Sequence, residues 1–211
     1  ENLSKQSNEK QFTELNSDKC KQFFNSNVFQ YKIFFDEQLE IYLLKQYSAE
    51  FKKELKQREQ WIFENRFSNF LAPITKHKER TVENTYFSYY PNGTLGYLLN
   101  TNNILFTIED KFTIIRQISI AIKDLHENNE YHGHLTDQCI AIDSEKNAFI
   151  IGACYYITDS TVFNEAMLYL PSQNDNTKLN DIYSLGILIY EIITNKTPQK
   201  IYNEKKFTLK E

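Results

Sequence analysis

The chain has 211 residues, 41% hydrophobic and 15% aromatic, enough to bury a sizeable core as one large domain or two small lobes. Its 24 basic and 28 acidic residues are spread along the length, giving a net charge of -4 and excluding the basic stripe of a nucleic-acid binder. Cys20, Cys139 and Cys154 are an odd set without framework spacing, which excludes a disulfide scaffold, and no apolar stretch approaches the roughly 20 residues of a membrane span.

Residues 1 to about 20 are polar without an apolar period, so they read as an extension outside the domain, disordered or ordered by a partner. Val28 to Phe35 and Leu39 to Leu44 are rich in aromatic and branched residues around Asp36-Glu37-Gln38, the pattern of a hairpin. Ser48 to Glu64 has high helix propensity, with Ser48 as N-cap, Phe51, Leu55 and Ile62 on one side and Trp61 near its end. Two further strands are predicted at Phe70 to Ile74 and Thr85 to Tyr90, and Pro91-Asn92-Gly93 then breaks the pattern as a hinge turn.

Thr107-Ile108-Glu109-Asp110 forms a capping box, and Phe112, Ile115, Ile118, Ile122 and Leu125 follow at helical spacing, which predicts an amphipathic helix buried on one face. Short strands are predicted at Ile140 to Asp143 and Ala148 to Ile151, flanking a turn at Ser144 to Asn147. Asp181 to Thr194 is apolar nearly all round, the pattern of a helix buried inside a lobe.

In this order the elements resemble a eukaryotic-type protein kinase over roughly residues 23 to 200. Tyr89-Tyr90-Pro91-Asn92-Gly93-Thr94-Leu95 resembles its hinge, and Asp181-Ile182-Tyr183-Ser184-Leu185-Gly186 through Tyr190-Glu191 resembles its buried large-lobe helix. The resemblance implies an α+β, two-lobed fold: a polar extension at 1–22, a small lobe of antiparallel sheet plus helix at 23–90, and a mainly helical, truncated large lobe at 91–211. It also implies that Asp181 bonds the catalytic-loop backbone and that His132 joins a stacked hydrophobic spine, both architectural roles.

The chemistry departs from that frame. Where kinases carry His-Arg-Asp-Leu, three residues and Asn, with Asp as base and Asn as magnesium ligand, the chain reads His132-Gly133-His134-Leu135-Thr136-Asp137-Gln138-Cys139, so the base position is His134 and the ligand position Cys139. Gly152-Ala153-Cys154 stands in place of Asp-Phe-Gly, and Gly152 has no side chain to ligate a metal. No glycine precedes Gly93, so the phosphate loop expected near Phe23 to Val28, with Asn25-Ser26-Asn27 inside it, lacks its glycines. For the strand lysine of Val-Ala-Ile-Lys, the preferred alignment sets Leu39-Glu40-Ile41-Tyr42 on the motif and makes Tyr42 the degenerate position, while a shifted one places Lys45, with Arg58 or Glu59 as helix partner. Leu170-Pro171-Ser172 replaces Ala-Pro-Glu, so Ser172 stands for the anchoring glutamate.

Loss of a general base alone costs about 10² to 10⁴ in rate, and loss of the metal adds several kcal/mol to the barrier. The resemblance therefore implies a noncatalytic pseudokinase: no catalytic, cofactor or metal residues, nucleotide binding weak or absent, and a scaffold or adaptor role among other protein subunits. The alternative is a divergent ATP-dependent enzyme whose groups have moved to Asp137, Asp143 or Asp159. His132, His134, Cys139 and Cys154 are zinc-competent residue types, yet their spacing matches no paired-cysteine motif and packing roles account for them. Phe87, Ala141 and Ile151 are expected to border the adenine place, and any exposed rings among Tyr155, Tyr156 and Tyr202 would anchor a protein partner. The expected setting is intracellular, in the cytoplasm or in a large cytoskeletal or organellar assembly.

Overall fold

A computed structural model describes residues 13–15, 18–23, 29–48, 53–74, 84–101, 105–152, 167–171, 178–196 and 198. Four antiparallel strands stand side by side in sequence order: β1 (Thr13–Leu15), β2 (Phe29–Phe35), β3 (Ile41–Tyr47) and β4 (Asn84–Ser88). Helix α1 (Lys53–Asn65) accompanies this sheet, followed by α2 (Leu95–Thr101), α3 (Ile108–Glu127) and α4 (Lys178–Thr194). A second, two-stranded sheet pairs β5 (Ile140–Ile142) with β6 (Ala148–Ile150). The fold is thus α+β, a small antiparallel lobe joined to a helical one. Among the described residues no helix is long and apolar enough to cross a membrane.

The β2–β3 hairpin turns on Asp36, whose Oδ1 accepts the backbone N–H groups of Gln38 (3.0 Å) and Glu40 (2.9 Å). This holds Leu39 at φ 62°, a left-handed conformation that a branched side chain rarely adopts. Leu39 therefore belongs to the turn, and β3 runs from Ile41 to Tyr47, three residues past the predicted end at Leu44.

Two expectations about the small lobe are corrected. The polar segment set outside the domain contributes β1, whose residues pair with Phe35, Phe34 and Ile33 of β2. All three β1 side chains are exposed, so an edge strand held by backbone bonds carries no apolar alternation to announce it. Phe70 to Ile74 is not a strand but a connector, bridging Leu71 to Ile150 and Ile74 to Phe87. Pro73 has no N–H to give a ladder, and its carbonyl instead accepts from Ser88 (3.2 Å) while Ala72 N–H donates to Ile150 (2.8 Å). This connector ties the sheet of one lobe to β6 of the other.

Helix α1 is described from Lys53, and the Ser48 carbonyl accepts from Lys56 Nζ (2.8 Å); the predicted cap at Ser48 would act on residues outside the described ones. Phe51 lies outside the described residues. Helix α2, a short apolar turn absent from the sequence reading, starts behind Thr94, whose hydroxyl accepts from Tyr97 N–H (3.2 Å). The box at Thr107 is formed in both directions, Thr107 Oγ1 accepting from Asp110 N–H (3.1 Å) and Asp110 Oδ2 from Thr107 N–H (2.8 Å).

The buried stripe of α3 is Ile114, Ile118, Ala121, Ile122 and Leu125, while Phe112 is 60% exposed against expectation. The reason lies one residue earlier. Lys111 turns toward α4, and its ammonium donates to the carbonyl of Ile193 (3.0 Å). At the other end Lys178 donates to the carbonyl of His126, so each antiparallel helix places a first-turn cation on the negative end of its neighbour.

Helix α4 departs from the fully buried pattern predicted for it. Its inward face is polar, carrying Asn180, Asp181, Ser184 and Glu191 beside Leu188 and Ile192. Its outward face exposes Leu179, Ile182, Tyr183, Tyr190 and Ile193. Two of the inward polar groups meet Tyr169: Ser184 Oγ donates to Tyr169 O (2.7 Å), and Tyr169 hydroxyl donates to Glu191 Oε2 (2.7 Å).

Candidate functional site

Between the lobes, β3 and α1 hold one buried ion pair. Lys45 Nζ donates to Glu59 Oε1 at 2.9 Å, and both side chains are essentially inaccessible, at 0% and 1%. The alignment placing Tyr42 on the strand-lysine position is thereby corrected: Tyr42 turns back into the hairpin, its one hydroxyl proton shared between Glu40 (2.6 Å) and Asp36 (3.0 Å). The strand register explains it. Lys45 and Tyr42 are three apart, so they project to opposite faces of β3. Arg58 is not the partner of this pair; its guanidinium reaches Glu130 (2.9 Å) and the Tyr131 carbonyl (3.2 Å) and lies 4.0 Å from the Tyr131 ring. Helix α1 is thus fastened to the sheet by Glu59 and to the loop before His132 by Arg58.

The ammonium of Lys45 is enclosed by aromatic rings, 5.0 Å from the Tyr47 centroid and 5.8 Å from that of Tyr31. Such faces stabilise a desolvated cation, and here they also close its surface to solvent.

On the other side of the cleft, Asp181 sits fully buried at the start of α4 and organises the loop. Its Oδ2 accepts His132 N–H (2.8 Å) and faces His126 Nε2 (2.8 Å), and its Oδ1 accepts Gly133 N–H (2.7 Å). Gly133 takes φ 84°, which lets two successive N–H groups turn to one carboxylate. The imidazole of His132 is also buried, with Nδ1 accepting from His134 N–H (3.2 Å) and Nε2 against the carbonyl of Gly152. That arrangement assigns the proton to Nε2. Burial is the largest cause holding the His132 pKa down, to about 4, against the opposing pull of Asp181.

His134 is likewise held at about 4, by burial and then by the neighbouring His132, so both rings are neutral at pH 7. Its Nε2 is buried and meets no hydrogen-bond partner among the described residues. Cys139 Sγ lies 3.5 Å from both the His134 carbonyl and Thr136 Oγ1, and burial raises its pKa, which keeps it a thiol. Gly152 serves the site through its carbonyl alone. Ala153, Cys154, Tyr155, Tyr156, Asp159, Ser172, Tyr202 and Asn25-Ser26-Asn27 lie outside the described residues.

The other carboxylates nearby are engaged elsewhere. Asp137 is buried, packed with Gln138 over Gly96 of α2, where any β-carbon would collide with both. It also faces the Tyr169–Glu191 pair, and burial followed by the Asp137 charge raises the Glu191 pKa to about 9. Asp143 closes its own turn by accepting from Glu145 N–H (2.9 Å), Asn147 N–H (2.8 Å) and Asn147 Nδ2 (3.1 Å). Among the described residues no three His, Cys, Asp or Glu side chains group to hold a metal ion. Phe87, 0% exposed, packs edge-on against Phe63 of α1 with centroids 5.1 Å apart.

The Lys45–Glu59 pair was legible only as an alternative. The Arg58–Glu130 link and the Tyr169–Glu191–Asp137 cluster carried no spacing signal, since each joins elements far apart in sequence.

No family model matches the chain. Among curated proteins it is similar to the "Probable inactive L-type lectin-domain containing receptor kinase III.1" of Arabidopsis thaliana, 27% identical over 139 residues, covering 58% of this chain and 22% of that protein. It is 28% identical over 125 residues to the "Receptor-type guanylate cyclase gcy-14" of Caenorhabditis elegans, covering 54% of this chain and 11% of that protein. A third relative, the "Probable serine/threonine-protein kinase gdt2" of Dictyostelium discoideum, is 28% identical over 139 residues, 58% of this chain and 8% of that protein. The match spans less than a quarter of each relative. The relatives it is similar to are protein kinases and kinase-like receptors, and its α+β architecture is compatible with theirs.

Proposed function

We propose that the chain is a noncatalytic, pseudokinase-type module that works as a scaffold or adaptor among protein subunits. One observation carries the reading: where a kinase places its base and metal ligands, this chain has a neutral buried imidazole at His134, a protonated buried thiol at Cys139 and a bare glycine at Gly152. None of the three presents a negative charge to a cation or takes a proton readily at neutral pH. One relative carries "probable inactive" in its name, which agrees with this reading.

The rival, an enzyme with relocated groups, needs free carboxylates near the cleft. Asp137 is buried over α2, and Asp143 spends its oxygens on its own turn. Protein partners are the natural counterpart of lost chemistry, and the outward apolar residues of α4 offer surface of the kind that protein interfaces bury.

The test is ATP turnover by the purified chain with magnesium or manganese. No turnover above a boiled control is expected. Sustained, metal-dependent turnover abolished by His134→Ala or Asp137→Asn would overturn the proposal.

A further inference from the structure

The mouth of the cleft already holds a piece of the chain. Residues Asp18–Gln22 make a short 3-10 turn, and Phe23 follows it into the core at 2% exposure. The Phe23 ring lies 5.7 Å from the Tyr31 ring and 6.4 Å from that of Tyr89. Tyr31 pairs with Lys45 and Ile33 with Leu43, so all four project from the sheet face that meets Glu59 of α1. The Tyr31 hydroxyl crosses to the helical lobe and donates to the carbonyl of Ile151 (3.3 Å), one residue before Gly152. Phe23 therefore wedges between the sheet and the segment joining the lobes.

Backbone bonds seat it there. The Gln22 carbonyl accepts the N–H of Thr94 (3.1 Å), the residue that opens α2, and lies 3.3 Å from its hydroxyl, whose one proton it shares with Gln138 Oε1 (3.0 Å). Gly93 permits the approach: at φ 74° it has no β-carbon, and one built there would stand 2.5 Å from Gln22 Cβ and 2.9 Å from Gln22 O. On its other side Gly93 O accepts from Ile142 N–H (2.9 Å), so the joining segment is held between Gln22 and β5.

We propose that Asp18–Phe23 is a built-in strap that fills the inter-lobe cleft, with Phe23 occupying the space a planar aromatic ligand would need and Gln22 satisfying the backbone groups of the joining segment. The strap rests on the noncatalytic reading above and gives it a steric cause. A small molecule enters only by expelling Phe23 and breaking the Gln22–Thr94 bonds. Lys45, covered by Tyr31 behind the strap, then stays with Glu59 and fastens the fold.

Two measurements on the whole chain test this. Amide hydrogen exchange at Thr94 in the unaltered protein should be slow, and in Phe23→Ala at least about tenfold faster, with Phe23→Leu restoring protection because it keeps an apolar filler. Thermal melting with about 1 mM adenosine should leave the unaltered protein unchanged and raise Phe23→Ala by roughly 2 °C or more, since the vacated space then takes a flat ring. Unprotected Thr94 in the unaltered protein overturns the strap even if Phe23→Ala does not fold. So does stabilisation of the unaltered protein by adenosine or ATP, or failure of a folded Phe23→Ala to respond to adenosine. Adenosine binding by the unaltered protein without ATP turnover sinks the strap alone; ATP turnover by the unaltered protein sinks the noncatalytic reading with it.

Discussion

Two buried charged centres face each other across the cleft, and they are built on different terms. Asp181 is a single carboxylate that accepts two backbone N–H groups and faces the His126 imidazole, each 2.7 to 2.8 Å away. Lys45–Glu59 is an ion pair of two full charges with virtually no solvent contact and aromatic rings over its cation. The first positions a loop; the second joins a strand to a helix. Both centres hold backbone in place, so each contributes to stability whatever chemistry the site performs.

Breaking the ion pair should separate these roles most sharply. Lys45→Met leaves Glu59 buried without its countercharge and should lower stability by about 3 to 5 kcal/mol in urea unfolding, while Lys45→Met with Glu59→Leu regains most of the loss. A nearly neutral single variant would mean that solvent reaches the pair. Asp181→Asn keeps one acceptor oxygen but turns an amide NH2 toward a backbone N–H, which should cost about 2 to 3 kcal/mol by the same assay. Here faster hydrogen exchange at His132 and Gly133 would mark the loss as local to the loop.

The neighbouring titratable groups sharpen the contrast through pH. His132 and His134 are held at about 4 against an ordinary 6.5, so the unfolded chain takes up their protons first and stability falls as pH drops below about 6.5. Glu191, raised to about 9 from 4.5, keeps a proton that the unfolded chain has lost, so its contribution disappears as pH climbs from 4.5 toward 9. Below about 6.5 two histidine protons outweigh one carboxyl proton, and above it the carboxyl acts alone. Stability should therefore peak near pH 6.5, with limbs of up to about 1.4 kcal/mol per pH unit. Glu191→Gln should flatten the alkaline limb; a limb that persists would assign it to another group. Smallest is Thr107→Ala, which opens the capping box of α3 and should cost about 1 kcal/mol in thermal or chemical unfolding.

How far these features could be read in advance depends on whether their cause is local. The capping box at Thr107 and Asp110 was legible because its bonds join residues three apart. The β2–β3 hairpin was legible from its apolar composition, but its register was not: Leu39 in the left-handed region shifts the start of β3 to Ile41, and with it the lysine that meets α1. Strand β1 was invisible because an exposed edge is chosen for backbone pairing and not for side-chain burial. Phe112 was misassigned because five apolar residues at helical spacing define a face only to within one position, and Lys111 settled it by reaching α4. The apolar outer face of α4 shows the same limit. Asp181 was legible through its implied role at the loop, whereas Asn180, Ser184 and Glu191, which look incidental in sequence, also face inward, Ser184 and Glu191 toward Tyr169 from a distant part of the chain.

The crossed lysines of α3 and α4 carry one more consequence. If the last turn of α4 unwinds, the Ile193 carbonyl leaves the ammonium of buried Lys111 in the first turn of α3; if the last turn of α3 unwinds, the His126 carbonyl leaves Lys178, which keeps only its longer contact to Asn129 Oδ1. Fraying at either end is thereby transmitted to the neighbouring rod, so the two should unzip cooperatively, as one unit and not as independent helices.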